Sequence, residues 1–284
     1  MAKKYFLVFF MLIFCFHPIS CQVVETTVPM NIDESKSAIR TRFLPPKGYV
    51  WEREERGSFS EYLVSFPLYP PSFPIRDFQQ VPIEKQSHHV AVLKIDVDHK
   101  DLQQCADAWI RLYSEYLWSQ KRFGEIGFHF TSGQFLSWND FRDGIRTIET
   151  GRSVRFVSRG SFDDSYANFR KYLRLVFQYA GTISLDKEGV PVKNNSDIKP
   201  GDFVIVPGSP GHCVIVVARV RNPAGKYLYL LAESFMPAQD IHILRNPTNS
   251  SISPWYELDV NSAETVTAKY IFRPTSIKRF YGIK

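Results

Sequence analysis

The chain has 284 residues, 44% of them hydrophobic and 15% aromatic, and a formal charge of +6. This composition is too apolar for disorder and long enough for one large domain or two small ones. The charge is too slight and too scattered for a nucleic-acid footprint. No RNA- or DNA-binding motif is present, so nucleic acid is not an expected partner.

Lys3 and Lys4 precede an apolar run over residues 5–16 that is too short to span a bilayer comfortably. This start reads as a secretory signal over residues 1–21, which lies outside fold reasoning. It takes two positive charges with it, so the mature chain carries +4. The signal ends at Pro18-Ile19-Ser20-Cys21, which resembles a bacterial lipobox. That resemblance implies a lipidated Cys21 and a membrane partner reached through a lipid anchor. The alternative is simple cleavage near Cys21 and release. The expected location is an outer-membrane or periplasmic lipoprotein, or otherwise a secreted protein. Cys15 leaves with the signal and Cys21 is terminal, so Cys105 and Cys213 are the cysteines of the folded body.

Residues 22–45 are polar and without period, and read as a tether; residues 46–284 read as a single α+β domain. Residues 57–63 predict a short capped helix. The four prolines of residues 66–74 deny both helix and central strand and predict an ordered aromatic loop packed on the body. Residues 89–95 predict a strand. Asp96, Asp98 and Asp101 follow at a spacing like a calcium loop, but without its glycine and glutamate, and Asp101 is better placed as a helix N-cap. The helix runs to about residue 118, with Leu102, Cys105, Trp109, Leu112 and Tyr116 on one stripe. Further expectations are a strand at 126–130, a short helix from 138 and a helix from about 161 stopped by Gly181. Strands follow at 203–206, 212–220, 227–233, 241–244 and 270–272. Helices first and antiparallel strands later argue an α+β fold.

The chemistry-bearing pattern joins two of these elements. A cysteine in the first turn of a helix feels unpaired N–H groups and the dipole, which favour thiolate. His212 opens a strand directly after Gly208-Ser209-Pro210-Gly211, where a base can meet that cysteine. If Val220 pairs with Tyr227 across the following hairpin, Glu233 falls on the sheet face of His212 and can orient the imidazole. A one-residue slip would present Ser234 instead, and Gln239 and Asp240 are reserve third residues. The backbone N–H of Cys105, with Gln104 beside it, would receive an oxyanion. Cys105 has three open readings: nucleophile, buried core thiol, or half of a disulfide with Cys213. Cys213 should face away from His212. No pair among His88, His89, His99, His129 and His242 has metal-ligand spacing, so neither metal nor cofactor is expected.

The run Gly201-Asp202…Gly211-His212-Cys213-Val214-Ile215-Val216, with Cys105 at a helix start and Glu233 one strand on, resembles NlpC-type and CHAP amidohydrolases. That resemblance implies a papain-like core, with the cysteine-bearing helix packed on an antiparallel sheet. It also implies hydrolysis of amide bonds in cell-wall peptides, with peptidoglycan peptide or another amide as substrate. Separately, Gln103-Gln104-Cys105-Ala106-Asp107-Ala108, Phe130-Thr131-Ser132-Gly133 and Pro237-Ala238-Gln239-Asp240-Ile241-His242 resemble a family of secreted Bacteroidota proteins of unknown function. A non-catalytic envelope lipoprotein that binds glycan or a partner protein is the alternative expectation.

Overall fold

A computed structural model describes residues 31–150 and 153–283. The signal sequence and Cys21 lie outside the described residues. The centre is one antiparallel sheet. Its strands run in the order His89–Val92, His242–Leu244, Tyr227–Glu233, His212–Arg221, Phe203–Val206, Ile277–Phe280 and Gly189–Pro191, with Val50–Trp51 against the far end of the His212 strand. Mixed helices and a large antiparallel sheet bear out the α+β expectation at that level.

Both faces of this sheet are covered, which explains why residues 213–218 are apolar without alternation. Cys213, Ile215 and Val217 point into a core shared with the helices, whereas Val214 and Val216 point into a second core with Tyr229, Leu231, Tyr256 and Phe272. The helix Cys105–Ser119 lies on the first face and is buried nearly all round, including Ala108, Ile110, Arg111 and Ser114. The apolar stripe expected from sequence is therefore only half of its buried surface. Its other side is closed by the helix Tyr166–Tyr179, with Trp118 stacked on Phe169 at 4.3 Å. Trp109 anchors the helix on the sheet: its ring packs edge-on to Phe203 at 5.4 Å, and its indole N–H donates to the Gly201 carbonyl at 2.8 Å.

Several expectations are corrected. Residues 31–45 are not all tether, because the helix Ile39–Arg42 buries Ile39 and, just after it, Phe43 in the helix-side core. Asp101 does not cap the Cys105 helix. Gln104 holds the N-cap position, and its backbone N–H donates to the Asp107 carboxylate at 3.1 Å. Asp101 instead accepts from the backbone N–H of Ala238 at 2.7 Å. Asp96 and Asp98 face Arg111, Arg170 and Arg174 in an ion-pair network. The helix Tyr166–Tyr179 ends at Ala180, and Gly181, expected as its stop, instead opens the next helix, Thr182–Glu188. Ile271–Phe272 pairs with Thr265–Val266 outside the main sheet, while Ile277–Phe280, which has no expected counterpart, lies inside it. The hairpin of Ile145–Thr150 and Ser153–Ser158 was likewise not foreseen. The proline loop packs inward through Phe66 and Leu68.

Trp109→Ala should cost about 3–5 kcal/mol, the usual range for a large aromatic core truncation. The urea unfolding midpoint reads this directly, and an unchanged midpoint would mean that the helix is held on the sheet by other contacts.

Candidate functional site

The helix opens with Cys105 as its first residue, where backbone N–H groups have no partner within the helix. The Cys105 thiol is partly buried against the helix-side core. Burial first, and then the neighbouring Asp107, push this thiol up to about 12, although the backbone N–H groups of Ala106 and Cys213 act in the opposite direction. The N–H of Cys213 places the sulfur against the start of the His212 strand. Both cysteines are free, so the disulfide reading is set aside. Cys213 points into the helix-side core, on the face opposite His212, as strand alternation requires.

The turn before His212 needs glycine at its last position. A Cβ on Gly211 would meet the Thr182 hydroxyl at 2.5 Å and the Val206 carbonyl at 2.6 Å. This close approach seats the loop on the helix Thr182–Glu188, where the Thr182 hydroxyl donates to the Gly208 carbonyl at 3.1 Å. The imidazole of His212 then lies among Phe235, Tyr270 and Phe272, with ring centroids 4.8–5.6 Å away.

Glu233 reaches His212 as the hairpin argument required, but through a different register. Tyr227 pairs with Arg221 rather than with Val220, and a β-bulge then skips Val217, so that Leu231 faces Val216 and Ala232 faces Ile215. Continued by one residue, this register sets Glu233 level with Val214, on the His212 face. His212 Nε2 lies 2.8 Å from Glu233 Oε2, and both residues are buried. The carboxylate accepts from Nε2–H, which leaves Nδ1 of the neutral ring as the nitrogen able to take a proton. Ser234 turns away, with its hydroxyl near the carbonyls of Gln239 at 2.7 Å and Gln103 at 3.0 Å. That contact ties the end of the Glu233 strand to the residues that lead into the Cys105 helix.

His242 completes the group. It is paired with Glu233 across the next two strands, and its Nε2 lies 3.6 Å from the second carboxylate oxygen, Oε1. Its Nδ1 lies 2.8 Å from the Asp240 carbonyl, a pure acceptor, so Nδ1 carries a proton. A neutral ring would then turn the Nε2 lone pair toward a carboxylate oxygen. Among the described residues neither buried atom has a hydrogen-bond partner. Burial raises the Glu233 carboxyl, but the two imidazoles outweigh it and hold it at about 2. The sequence shows His242 within an expected strand and without metal-ligand spacing; its pairing with Glu233 rests on a strand register that no local signal sets.

Cys105 and His212 line one cleft of about 350 Å³, together with Gln104, Gly181, Phe235 and Tyr270. The Gln104 side-chain amide points to Asp101 Oδ1 at 3.3 Å, at the cleft's edge. The reserve residues do not reach the imidazole. Gln239 donates to the Pro237 carbonyl, and Asp240 accepts from the Arg76 backbone N–H at 2.9 Å. His129 pairs with Glu188 at 2.8 Å and His89 with the Gln86 carbonyl. Among the described residues no group of histidine, cysteine and carboxylates is arranged to hold a metal ion.

Against known families, residues 39–279 match one described as Domain of unknown function (4846). The chain belongs to that family. No curated protein and no solved structure matches it. The match begins at Ile39, the first residue of the helix that carries the fold beyond the tether boundary expected from sequence.

The depressed Glu233 carboxyl gives a signed pH dependence. Its folded value is about 2, below the ~4.3 of an unfolded glutamate. It therefore stabilises the fold above about pH 4.3, and this contribution is lost as pH falls through about 2. In urea titrations over that window, Glu233→Gln should flatten the acid loss of stability relative to the natural protein; parallel curves would contradict the pairing.

Proposed function

We propose that this protein is an exported cysteine amidohydrolase, with a papain-like arrangement, that acts on amide bonds of cell-wall peptides. The observation that carries the reading is the shared cleft. The first residue of a buried helix is a cysteine, and the same cleft is lined by a histidine whose Nε2 is held by a buried carboxylate. A cysteine-bearing helix on an antiparallel sheet, with the histidine opening a strand, is also what NlpC-type and CHAP enzymes share. The lipobox-like Cys21, and with it an envelope location, agrees with a cell-wall substrate.

In this reading the Cys105 sulfur attacks the carbonyl carbon while its proton passes to Nδ1 of His212. The carbonyl oxygen takes up the negative charge against the N–H of Cys105. As the C–N bond breaks, the imidazolium returns its proton to the leaving amine. Water, deprotonated by the same nitrogen, then attacks the thioester, releasing the acid and restoring the thiol. Glu233 holds the ring through Nε2, and His242 holds Glu233. Because burial keeps the thiol protonated at rest, His212 acts at the moment of attack and not as half of a standing ion pair. The same raised thiol is what a non-catalytic envelope lipoprotein binding glycan or a partner protein would carry, so turnover decides between the two.

Incubation of the mature chain with purified peptidoglycan sacculi should release peptides bearing a new amine, detected by mass spectrometry. Cys105→Ala and His212→Ala should each slow release by about 10³-fold or more, the scale of losing a nucleophile or its base. No release by the natural protein, or equal release by Cys105→Ala with its fold intact, would sink the hydrolase reading. Alkylation of Cys105 by iodoacetamide should be slow at neutral pH and rise with an apparent pKa above the free-thiol ~8.5; fast labelling at pH 6 would instead reveal a preformed thiolate.

A further inference from the structure

Beside the cleft lies a second cavity of about 420 Å³ that shares Phe235 and Met236 with it. Lys85, His88, Lys269 and the neutral amide of Gln239 line it, and among the described residues no carboxylate does. The half-buried Lys269 ammonium sits 5.1 Å over the Phe235 ring and reaches the Gln239 amide oxygen at 3.5 Å. The Nδ1 atom of His88 is buried without a hydrogen-bond partner. Burial draws the Lys269 ammonium below its usual range, with the more distant Glu233 opposing; His88 is lowered by burial and then by the charges of Lys269 and Lys85. Two lysine ammoniums at a hollow with no carboxylate among its described lining residues carry a cost, on the half-buried Lys269 above all, that an anion would relieve.

Phe235 fixes where this hollow stands relative to the chemistry. The same ring packs edge-on to His212 at 5.0 Å, so the Lys269 ammonium lies within about 10 Å of the imidazole, the span of roughly three extended residues. Resting on the hydrolase reading of the neighbouring cleft, we propose that Lys85, His88 and Lys269 form a carboxylate-binding subsite. It takes an acidic side chain or free carboxylate of the substrate peptide about three residues from the cleaved amide.

The test uses a synthetic cell-wall stem peptide with its glutamate carboxyl free, and the same peptide amidated there. Calorimetric titration of Cys105→Ala reads binding without turnover. The acid should bind about 10-fold or more tighter than the amide, the scale of one partly buried charge-assisted contact. Adding Lys269→Gln should abolish that preference, and adding Lys85→Gln, at an exposed position, should shrink it. No preference, a preference that survives both substitutions, or binding of neither peptide overturns the subsite. A Lys269-dependent preference with no hydrolysis by the natural protein would leave the subsite standing and remove the hydrolase reading. Hydrolysis without any preference would do the reverse.

Discussion

A carboxylate with no solvent exposure, set between two imidazoles, constrains the rest of this molecule. Glu233 has no exposed surface over which solvent can share its charge, so burial alone would drive it toward the protonated form. It stays ionised because three neighbouring strands each deliver one member of the cluster to the same face of the sheet: His212, Glu233 and His242. The β-bulge at Val217 is the device that achieves this. Without that extra residue the strand would present Ser234 to His212 and turn Glu233 toward the helix-side core.

The helix that carries Cys105 shows the same dependence from the other side. Its first residue is positioned by the Gln104 cap, by Trp109 lodged on Gly201 and by Ser234, whose hydroxyl bridges the lead-in residue Gln103 and Gln239. These contacts fix the sulfur against the backbone N–H of Cys213. The price is a desolvated thiol. A helix N-terminus favours thiolate, yet here the depth of the position outweighs the dipole, and the proton has to be removed when substrate arrives. The adjoining aromatic wall serves two spaces at once, since Phe235 touches the imidazole on the cleft side and the Lys269 ammonium on the other.

Much of the architecture was legible in the residues. Antiparallel strands at 203–206 and 227–233 follow from short apolar runs bounded by Gly, Pro and Asn, and these signals are local. The pairing of His212 with Glu233 was legible too, because strand alternation and a short hairpin leave few registers; the first pair was misplaced by one residue, and the bulge restored the phase. Asp101 looked like a cap because its side chain suits one, but it is drawn away by the backbone of Ala238, a partner more than a hundred residues distant.

The sequence by itself determined which side chains could supply a thiol, a base and an orienting carboxylate, since those choices depend on residue type and period along one strand or helix. Tertiary structure alone decided three things. The helix is packed on the sheet, so the thiol is largely desolvated and protonated; His242 is brought to the second oxygen of Glu233; and Ile277–Phe280 enters the sheet beside Phe203–Val206. Each depends on desolvation or on pairing between residues far apart in the chain, and neither has a local period to read.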